Sequence, residues 1–251
     1  MILLILFTVA FSFGHDGALV NSELNALRYG IDISSWQSTF DGSKAKANGV
    51  KLVICRAGHA LNKDKCWEAF TASALKNGLE LGAYHFATFH FTDVSKDYTT
   101  ALANAKNQAN WFLSILKTAK INSYVALDFE MENGHSMNLN AAQATECILA
   151  YMNIIKNAGY KPILYSGASM LYSSVNVTKI MQQYPLWCAY YFKYGTAMDF
   201  PMWDGSFPNT TWGKRMQAWK SSIKMWQFTS EGYAKKYGCG GTNLDKDYLY
   251  F

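Results

Sequence analysis

Residues 156–167 read KNAGYKPILYSG, so an amphipathic segment runs through Gly159 into a short apolar stretch. The same order occurs earlier as KANGVKLVICRAG over residues 46–58 and as LKNGLELGAYHF over residues 75–86. Glycine just past the last turn is the usual left-handed cap of a helix. The repeated pattern therefore predicts helices that end at a glycine and lead directly into a strand.

The strands implied by this pattern are continuous apolar runs, which is typical of parallel strands covered on both faces. Apolar residues between Ala144 and Ile155 recur at helical spacing, and Asn140 with Gln143 resembles a capping box. Another helix is predicted over roughly residues 97–119. Strands are predicted near residues 29–34, 51–57, 79–86, 123–128 and 162–165.

The alternation of helix and strand stops after about residue 185. Three further strand-like segments follow, PLWCAYYF from residue 185, KMWQFTS from residue 224 and NLDKDYLY from residue 243, and their links are rich in Gly, Pro and Trp. Eight strands indicate a closed barrel. We therefore predict an α/β fold, a TIM-like barrel with about five βα units followed by three strands lacking long helices. No linker divides it, so residues 28–251 are predicted to form one catalytic-type domain.

The first residues form a separate segment. Residues 1–13 read MILLILFTVAFSF without a charged side chain, and Ser12 and Gly14 are small residues suited to cleavage after Gly14. The run is shorter than the ~20 apolar residues that span a bilayer. We predict a signal peptide over residues 1–14, a lead-in over residues 15–27 and a secreted protein. An uncleaved anchor or a buried N-terminal segment is the alternative.

Composition bounds the class of protein. Half of the 251 residues are hydrophobic and 16% are charged, which excludes a disordered or fibrous chain. The net charge of +5 favours encounter with a polyanionic surface such as a bacterial wall, but is too small for a nucleic-acid-binding tail. Five cysteines without a CxxC pair make structural zinc improbable, and their odd number leaves at least one thiol free or paired between chains.

Four acidic residues lie at strand ends rather than in polar, helical surroundings. Asp32 closes YGIDISSW, Asp128 and Glu130 close YVALDFE, and Asp245 lies in the final strand. Residues i and i+2 of a strand face the same way, so Asp128 and Glu130 project together. In a barrel the strand ends meet at one mouth, where active sites are built. The four carboxylates are therefore expected to converge.

Clustered carboxylates raise each other's pKa, so that one stays protonated near neutral pH. Glycoside hydrolysis commonly uses such a pair, one carboxyl group that is protonated and one that is ionised. A Mg²⁺ or Ca²⁺ site is the rival use, but the chain has no Asp-x-Asp-x-Asp-Gly loop, and we expect neither a metal nor a cofactor. His85 on its apolar strand is expected to be structural. No G-x-S-x-G elbow is present.

Aromatic residues make up 16% of the chain, which is more than a core demands. Rings at strand ends beside carboxylates can line a sugar groove, because Tyr and Trp offer both an apolar face and a polar tip. The candidates for such contacts are Tyr84, Tyr165, Tyr190 and Trp226.

The series YGIDISSWQ, VICRAG, GLELGAYHF, ALDFE, PILYSG, LWCAYY, WQFTS and a closing NLD resembles, in order and spacing, the glycoside hydrolase family 25 lysozymes, the Chalaropsis-type muramidases. The resemblance spans about residues 28–250. It implies the barrel described above and cleavage of the β-1,4 bond between N-acetylmuramic acid and N-acetylglucosamine in peptidoglycan. The segment Met202–Trp219 has no counterpart in the pattern.

By resemblance, Glu130 matches the general acid/base. Asp128 matches the carboxylate that steers the 2-acetamido group or acts as nucleophile, and Asp32 and Asp245 match the remaining carboxylates of the mouth. Positions near the sugar are matched by Tyr84, Tyr165, Trp226 and Gln227. The resemblance implies bacterial peptidoglycan as the partner. We expect a monomer without stable membrane insertion, either secreted or in the lumen of a digestive or phagocytic compartment.

Two alternatives stay open. Another glycan hydrolase such as a chitinase is one, although the Asp-x-x-Asp-x-Asp-x-Glu run of those barrels is replaced here by Tyr124-Val-Ala-Leu before Asp128. A non-catalytic peptidoglycan-binding protein on the same scaffold is the other.

Overall fold

A computed structural model describes residues 28–192, 199–200 and 205–249. The predicted signal peptide (residues 1–14) and lead-in (residues 15–27) lie outside the described residues. Within them one sheet contains nine strands, whose bounds are β1 Arg28–Ile33, β2 Val50–His59, β3 Asn62–Lys63, β4 Glu80–Phe86, β5 Tyr124–Asp128, β6 Lys161–Gly167, β7 Leu186–Ala189, β8 Ile223–Thr229 and β9 Asp245–Leu249.

Eight of these strands close into a barrel in the order β1, β9, β8, β7, β6, β5, β4, β2, with β1 also pairing with β2. Seven run parallel, whereas β9 is antiparallel to both of its neighbours, β8 and β1. The two-residue β3 pairs only with the end of β2. The predicted TIM-like barrel is confirmed, and its last strand enters in reverse.

Seven α-helices lie in the described part of the chain: α1 Gly42–Ala47, α2 Trp67–Lys76, α3 Tyr98–Leu116, α4 Ala141–Asn157, α5 Ala168–Ser173, α6 Val177–Met181 and α7 Thr211–Ala218. The two long ones, α3 and α4, pack against each other. After β6 the helices have eight residues or fewer, in agreement with the predicted loss of long helices. None of the described helices is long and apolar enough to cross a bilayer.

The helix ends follow the predicted chemistry. Gly49, Gly78 and Gly159 have φ of 87°, 65° and 88°, the left-handed region that favours glycine. Asn140 and Gln143 form the reciprocal capping box at the start of α4. These local signals explain why the helices stop shortly before the strands begin.

Two hydrophobic cores lie on opposite faces of the barrel wall. The inner one contains Leu52, Ile54, Ala126, Ile163, Trp187, Met225 and Leu249, together with Tyr165. The outer one joins the other face of each strand to the helices. Successive strand residues point to opposite faces, so each side chain belongs either to the interior or to the helix layer. This alternation decides which residues can reach the mouth.

Candidate active site

A cavity of about 390 Å³ opens at the mouth of the barrel, where the parallel strands end. All four predicted carboxylates line it. The other residues around it are Ser34, Trp36, Gln37, Arg56, Tyr84, Phe86, Tyr165, Trp187, Tyr191, Gln227, Ser230 and Asn243. The position agrees with the general rule that barrel enzymes build their sites at this end.

The reversal of β9 brings Asp245 to the mouth. Asp245 is the first residue of its strand and pairs directly with Asp32, near the end of β1. In a parallel strand the same residue would lie at the opposite end of the barrel. On the other side of the cavity, Asp128 ends β5 beside Phe86 and Tyr165.

The backbone of residues 128–130 is held at four points. Ala87 N donates to the carbonyl of Asp128 (3.1 Å), and Phe129 N donates to the carbonyl of Tyr165 (3.0 Å). Ser166 Oγ donates to the carbonyl of Phe129 (2.5 Å), and His90 Nε2 donates to that of Glu130 (2.8 Å). Burial lowers the pKa of His90 to about 4, so its ring is neutral. The segment is therefore fixed before substrate arrives.

Phe129 lies in the outer core, on the face opposite to Asp128. Asp128 itself is 3% exposed, and its Oδ1 has no hydrogen-bond partner among the described residues. A buried acceptor without a partner is costly, which makes this oxygen a place for a substrate donor.

Asp32 lies at the centre of a polar network. Gln227 Nε2 donates to Asp32 Oδ2 at 2.8 Å. Gln227 Oε1 accepts from the hydroxyls of Tyr165 (2.8 Å) and Tyr191 (2.5 Å). These hydrogen bonds hold both tyrosine hydroxyls beside Gln227 at the cavity wall.

A fifth carboxyl, Asp247, lies deeper inside the barrel. It is fully buried, Trp187 Nε1 donates to its Oδ1 at 2.7 Å, and it shares a hydrogen bond with Asp32. Burial, together with the charge of Asp32, raises the pKa of Asp247 well above its ordinary value. A protonated Asp247 that donates to Asp32 satisfies both groups.

The carboxyls at the mouth hold their protons more strongly than free ones. Burial raises the pKa of Glu130 to about 7, assisted by the charges of Asp32 and Glu132. Burial also raises the pKa of Asp32 to about 7, although its hydrogen bond from Gln227 opposes the shift. The pKa values of Asp128 and Asp245 are raised well above the ordinary range, first by burial and then by neighbouring carboxylates. The cluster therefore keeps several protons near neutral pH.

Arg56 is the cation among these acids. Its Nε donates to Asp64 Oδ2 at 2.8 Å and its Nη2 donates to Ser35 Oγ at 3.0 Å, which orient the guanidinium at the cavity wall. Its charge lowers the pKa of Asp128 and so partly opposes the effects of burial and of the neighbouring carboxylates. Arg56 was not among the predicted site residues, since a lone arginine in an apolar strand carries no motif of its own.

A second cavity of about 260 Å³ adjoins the first, and Glu130, Tyr165 and Tyr191 line both. Tyr190 and Trp212 line only the second. The structure thus places Tyr190 beside the carboxylate cavity rather than in it.

Trp226 does not reach either cavity. It is 2% exposed in the outer core, where it packs beside Phe228 and Tyr248, and its Nε1 donates to the carbonyl of Tyr190. Adjacent strand residues point to opposite faces, so Trp226 and Gln227 cannot both face the interior. Gln227 faces inward, and the tryptophan that lies in the cavity wall is Trp187.

His85 has the structural role expected of it: its Nε2 donates to the carbonyl of Ala60 and its Nδ1 accepts from Tyr151. The five cysteines are all among the described residues and are free thiols. In the part of the chain that the structure describes, no group of three or more His, Cys, Asp or Glu side chains is arranged to hold a metal ion.

Known proteins resemble this chain in sequence. The family model described as "Glycosyl hydrolases family 25" matches residues 31–237. A protein of Streptococcus phage B30, named D-alanyl-L-alanine endopeptidase, is 28% identical over 217 residues, which are 85% of this chain and 42% of that protein. The lysozyme of Lactococcus phage mv1 is 30% identical over 138 residues, 49% of this chain and 68% of that lysozyme.

Solved structures show the same fold. The CTP1L endolysin aligns with a TM-score of 0.64 and 25% identity, covering 88% of this chain and 66% of that chain. A family 25 glycosyl hydrolase from Bacillus anthracis aligns with a TM-score of 0.63 and 19% identity, covering 89% of each chain. The Cpl-1 endolysin, solved with a peptidoglycan analogue, has a TM-score of 0.59 and 25% identity over 89% of this chain and 54% of its own.

The chain spans less than half of the B30 protein and about two thirds of CTP1L. The family match nevertheless covers most of the barrel and contains Asp32, Asp128 and Glu130. The match over most of the barrel leads to one conclusion: the chain belongs to glycosyl hydrolases family 25.

Proposed function

We propose that this protein is a lysozyme, an N-acetylmuramidase that hydrolyses the β-1,4 bond between N-acetylmuramic acid and N-acetylglucosamine in bacterial peptidoglycan. The observation that carries the proposal is Glu130, a carboxyl with a pKa raised to about 7, at the junction of two cavities in a family 25 barrel. Relatives named lysozyme and a neighbour solved with a peptidoglycan analogue support it.

Glu130 supplies the proton. In its protonated form it donates to the glycosidic oxygen, so that the bond from this oxygen to the sugar C1 breaks and the leaving sugar departs as an alcohol. Glu130, now ionised, then takes a proton from the water that attacks C1. A pKa of about 7 suits a group that must both give and take a proton near neutral pH.

Asp128 steers the 2-acetamido group. Its unpartnered Oδ1 accepts the acetamido N–H while the acetamido carbonyl oxygen attacks C1, which yields a cyclic intermediate and retention after water opens it. An N–H donated to this oxygen favours the ionised form of Asp128 and counteracts its burial. In their ionised forms Asp32 and Asp245 stabilise the developing positive charge of the sugar ring, and that charge in turn favours their ionisation.

Aromatic and polar groups hold the sugar over these acids. Tyr84, Tyr165 and Tyr191 line the cavity, and Trp36, which also lines it, is 81% exposed. Tyrosine and tryptophan serve both the apolar face and the hydroxyl edge of a sugar. The side-chain amide of Gln227 hydrogen-bonds to both tyrosine hydroxyls and to Asp32, and so fixes their relative positions.

The decisive experiment replaces Glu130 by Gln, which keeps its shape but cannot donate the proton. We expect the release of reducing ends from purified peptidoglycan to fall by about 10³-fold or more, since general acid catalysis contributes about 10²–10⁴-fold. Glu68→Gln is the matched control, because Glu68 is an exposed glutamate on α2 that lines neither cavity. Undiminished lysis by the Glu130→Gln protein would overturn the assignment.

Mass spectrometry of the products identifies the bond. A new reducing end on N-acetylmuramic acid is expected, whereas a reducing N-acetylglucosamine would contradict the proposed specificity. Chitin oligomers test the chitinase-like alternative, and we expect them to be cleaved at least 100-fold more slowly. Binding of wall fragments without any product would support the non-catalytic alternative.

We also propose that the protein acts outside the cell that makes it, as a monomer, at the bacterial wall or in a digestive or phagocytic lumen. The net charge of +5 favours approach to an anionic wall, and the acids of the mouth are withdrawn into the barrel. The endopeptidase activity named for the B30 protein is not carried over, because the chain spans 42% of that protein and its cavity is a carboxylate site.

A further inference from the structure

The second cavity begins where the carboxylate cavity ends. Glu130 borders both, whereas Asp32, Asp128 and Asp245 border only the first. An acid that breaks a glycosidic bond must face the oxygen between two sugars. The sugar that becomes positive needs the carboxylates, so it occupies the first cavity. The sugar that leaves must then lie on the other side of Glu130.

One residue that lines the second cavity, Trp212, comes from the segment that had no counterpart in the sequence pattern. Helix α7 carries Trp212, and Tyr190 at the end of β7 stands beside it. The end of β6 and the start of α5 contribute three small residues to the same cavity, Gly167, Ala168 and Ser169.

Trp212 is held in place rather than loose on the surface. Thr210 caps α7 by accepting from Gly213 N (3.0 Å), and the Tyr190 hydroxyl donates to the same Thr210 Oγ1 (2.8 Å). The Trp212 ring meets Tyr172 edge-on with 6.1 Å between ring centroids.

Arg215, one turn further along α7, covers the face of the Tyr172 ring at 3.4 Å from its centroid. A cation above an aromatic ring is a stabilising arrangement. The helix cap, the Tyr172 ring and its cation–π contact with Arg215 therefore fix the position of the Trp212 indole. Because the indole is already ordered, less entropy is lost when a sugar stacks on it.

We propose that Trp212 is the stacking surface for the leaving-group N-acetylglucosamine in this second cavity, with Tyr190 as its neighbour, so that this residue determines which sugar binds there. The inference rests on the proposed function, because the cleaved bond decides which sugar lies on the reducing-end side of Glu130. It assigns to the segment around α7 the role of selecting the sugar on the reducing-end side of the scissile bond.

The test compares Trp212→Ala, Trp212→Phe and Tyr233→Ala on a soluble peptidoglycan tetrasaccharide. Trp212→Ala is expected to lower kcat/KM at least tenfold, and Trp212→Phe less than threefold because it keeps a ring. Tyr233 is a half-exposed aromatic that lines neither cavity, so its variant should stay within twofold of wild type. Equal kcat/KM for Trp212→Ala and wild type would overturn the inference.

A crystal of the Glu130→Gln protein soaked with the tetrasaccharide gives an independent readout that folding of the Trp212 variants does not affect. We expect the sugar on the reducing-end side of the scissile bond to stack on Trp212. Sugars that leave Glu130 in another direction would refute the site while leaving the lysozyme activity intact. If wild-type protein releases no reducing ends from the wall, the proposed function itself fails, so the two failures are distinguishable.

Discussion

At the scale of the residue, Asp247 shows what alternation along a strand implies. The rule that pairs Asp128 with Glu130 also pairs Asp245 with Asp247 in NLDKDYLY, and both face the barrel interior. Asp247 is the deeper of the two and has Trp187 as donor on one oxygen. Its other oxygen has no donor among the described residues, which agrees with a proton on Asp247 itself, donated to Asp32.

Asp247→Asn tests this protonation state. The amide keeps an acceptor for Trp187 and gives Asp32 a permanent donor, so kcat/KM on peptidoglycan should stay within threefold of wild type. Asp247→Leu removes both hydrogen bonds and should lower it more than tenfold. Thermal unfolding of both variants provides the control for folding. A loss as large for Asn as for Leu would show that a charged Asp247 is required.

The pH profile follows from Glu130. Its pKa of about 7 means that the protonated, active form predominates below pH 7 and declines above it. We expect kcat/KM to fall by close to tenfold per pH unit above pH 7, measured at constant ionic strength. Activity that rises between pH 7 and pH 8 would contradict Glu130 as the proton donor.

At the scale of the element, the helix-to-strand junctions before β2, β4 and β6 each contain a glycine in the left-handed region. Gly159 ends the connection from α4 to β6 with φ of 88°, and a Cβ at this position would meet no atom within 4 Å. The requirement for glycine is thus conformational and not steric, which makes this junction a clean place to measure it.

Gly159→Ala is expected to lower the free energy of unfolding by about 1 kcal/mol, because a left-handed conformation costs an alanine about 1–2 kcal/mol. Gly159→Asn should cost less, since asparagine tolerates this region. Chemical denaturation measures both, and wall lysis at low temperature should not change. Equal stability of the alanine and wild-type proteins would show that the junction relaxes to another conformation.

At the scale of the whole molecule, the barrel mouth concentrates carboxyl groups whose ionised forms are disfavoured by burial. Five carboxyls in and below the mouth have folded-state pKa values above their ordinary ones, namely those of Asp32, Asp128, Glu130, Asp245 and Asp247. Their contribution to stability is complete below the unfolded pKa near 4 and is lost as pH rises through the folded values. His85 and His90 have the opposite effect on stability, because burial lowers both of their pKa values from 6.5 to about 4. Their contribution is lost as pH falls below 6.5 and is constant above it.

Between pH 6.5 and 7.5 the carboxyls therefore dominate, and the free energy of unfolding should fall by at least about 1 kcal/mol, as one proton is worth about 1.4 kcal/mol per pH unit. Denaturant titrations at constant ionic strength measure this slope. Asp247→Asn, which cannot ionise, should flatten it. A stability that is constant or rises across this range would mean that the five groups are ionised in the folded protein.

Local sequence determined the elements and most of the acids. The order of helix, glycine and apolar strand is a local signal, so the strands near residues 51–57, 79–86 and 162–165 were predictable from it. The capping box at Asn140 was predictable from its own two residues. Strand-end acids were recognisable because polar residues there interrupt apolar runs, and a barrel has one mouth for all parallel strands.

Only the tertiary structure decided which face of each late strand looks inward. Alternation says that Trp226 and Gln227 point apart, but the phase depends on how the sheet closes, and closure places Gln227 in the cavity and Trp226 under the helix layer. The reversal of β9, which brings Asp245 to Asp32, and the cavity beneath Trp212 likewise arise from contacts between segments far apart in the chain. Local propensity carries no record of such contacts, because their energy exists only once the barrel has closed.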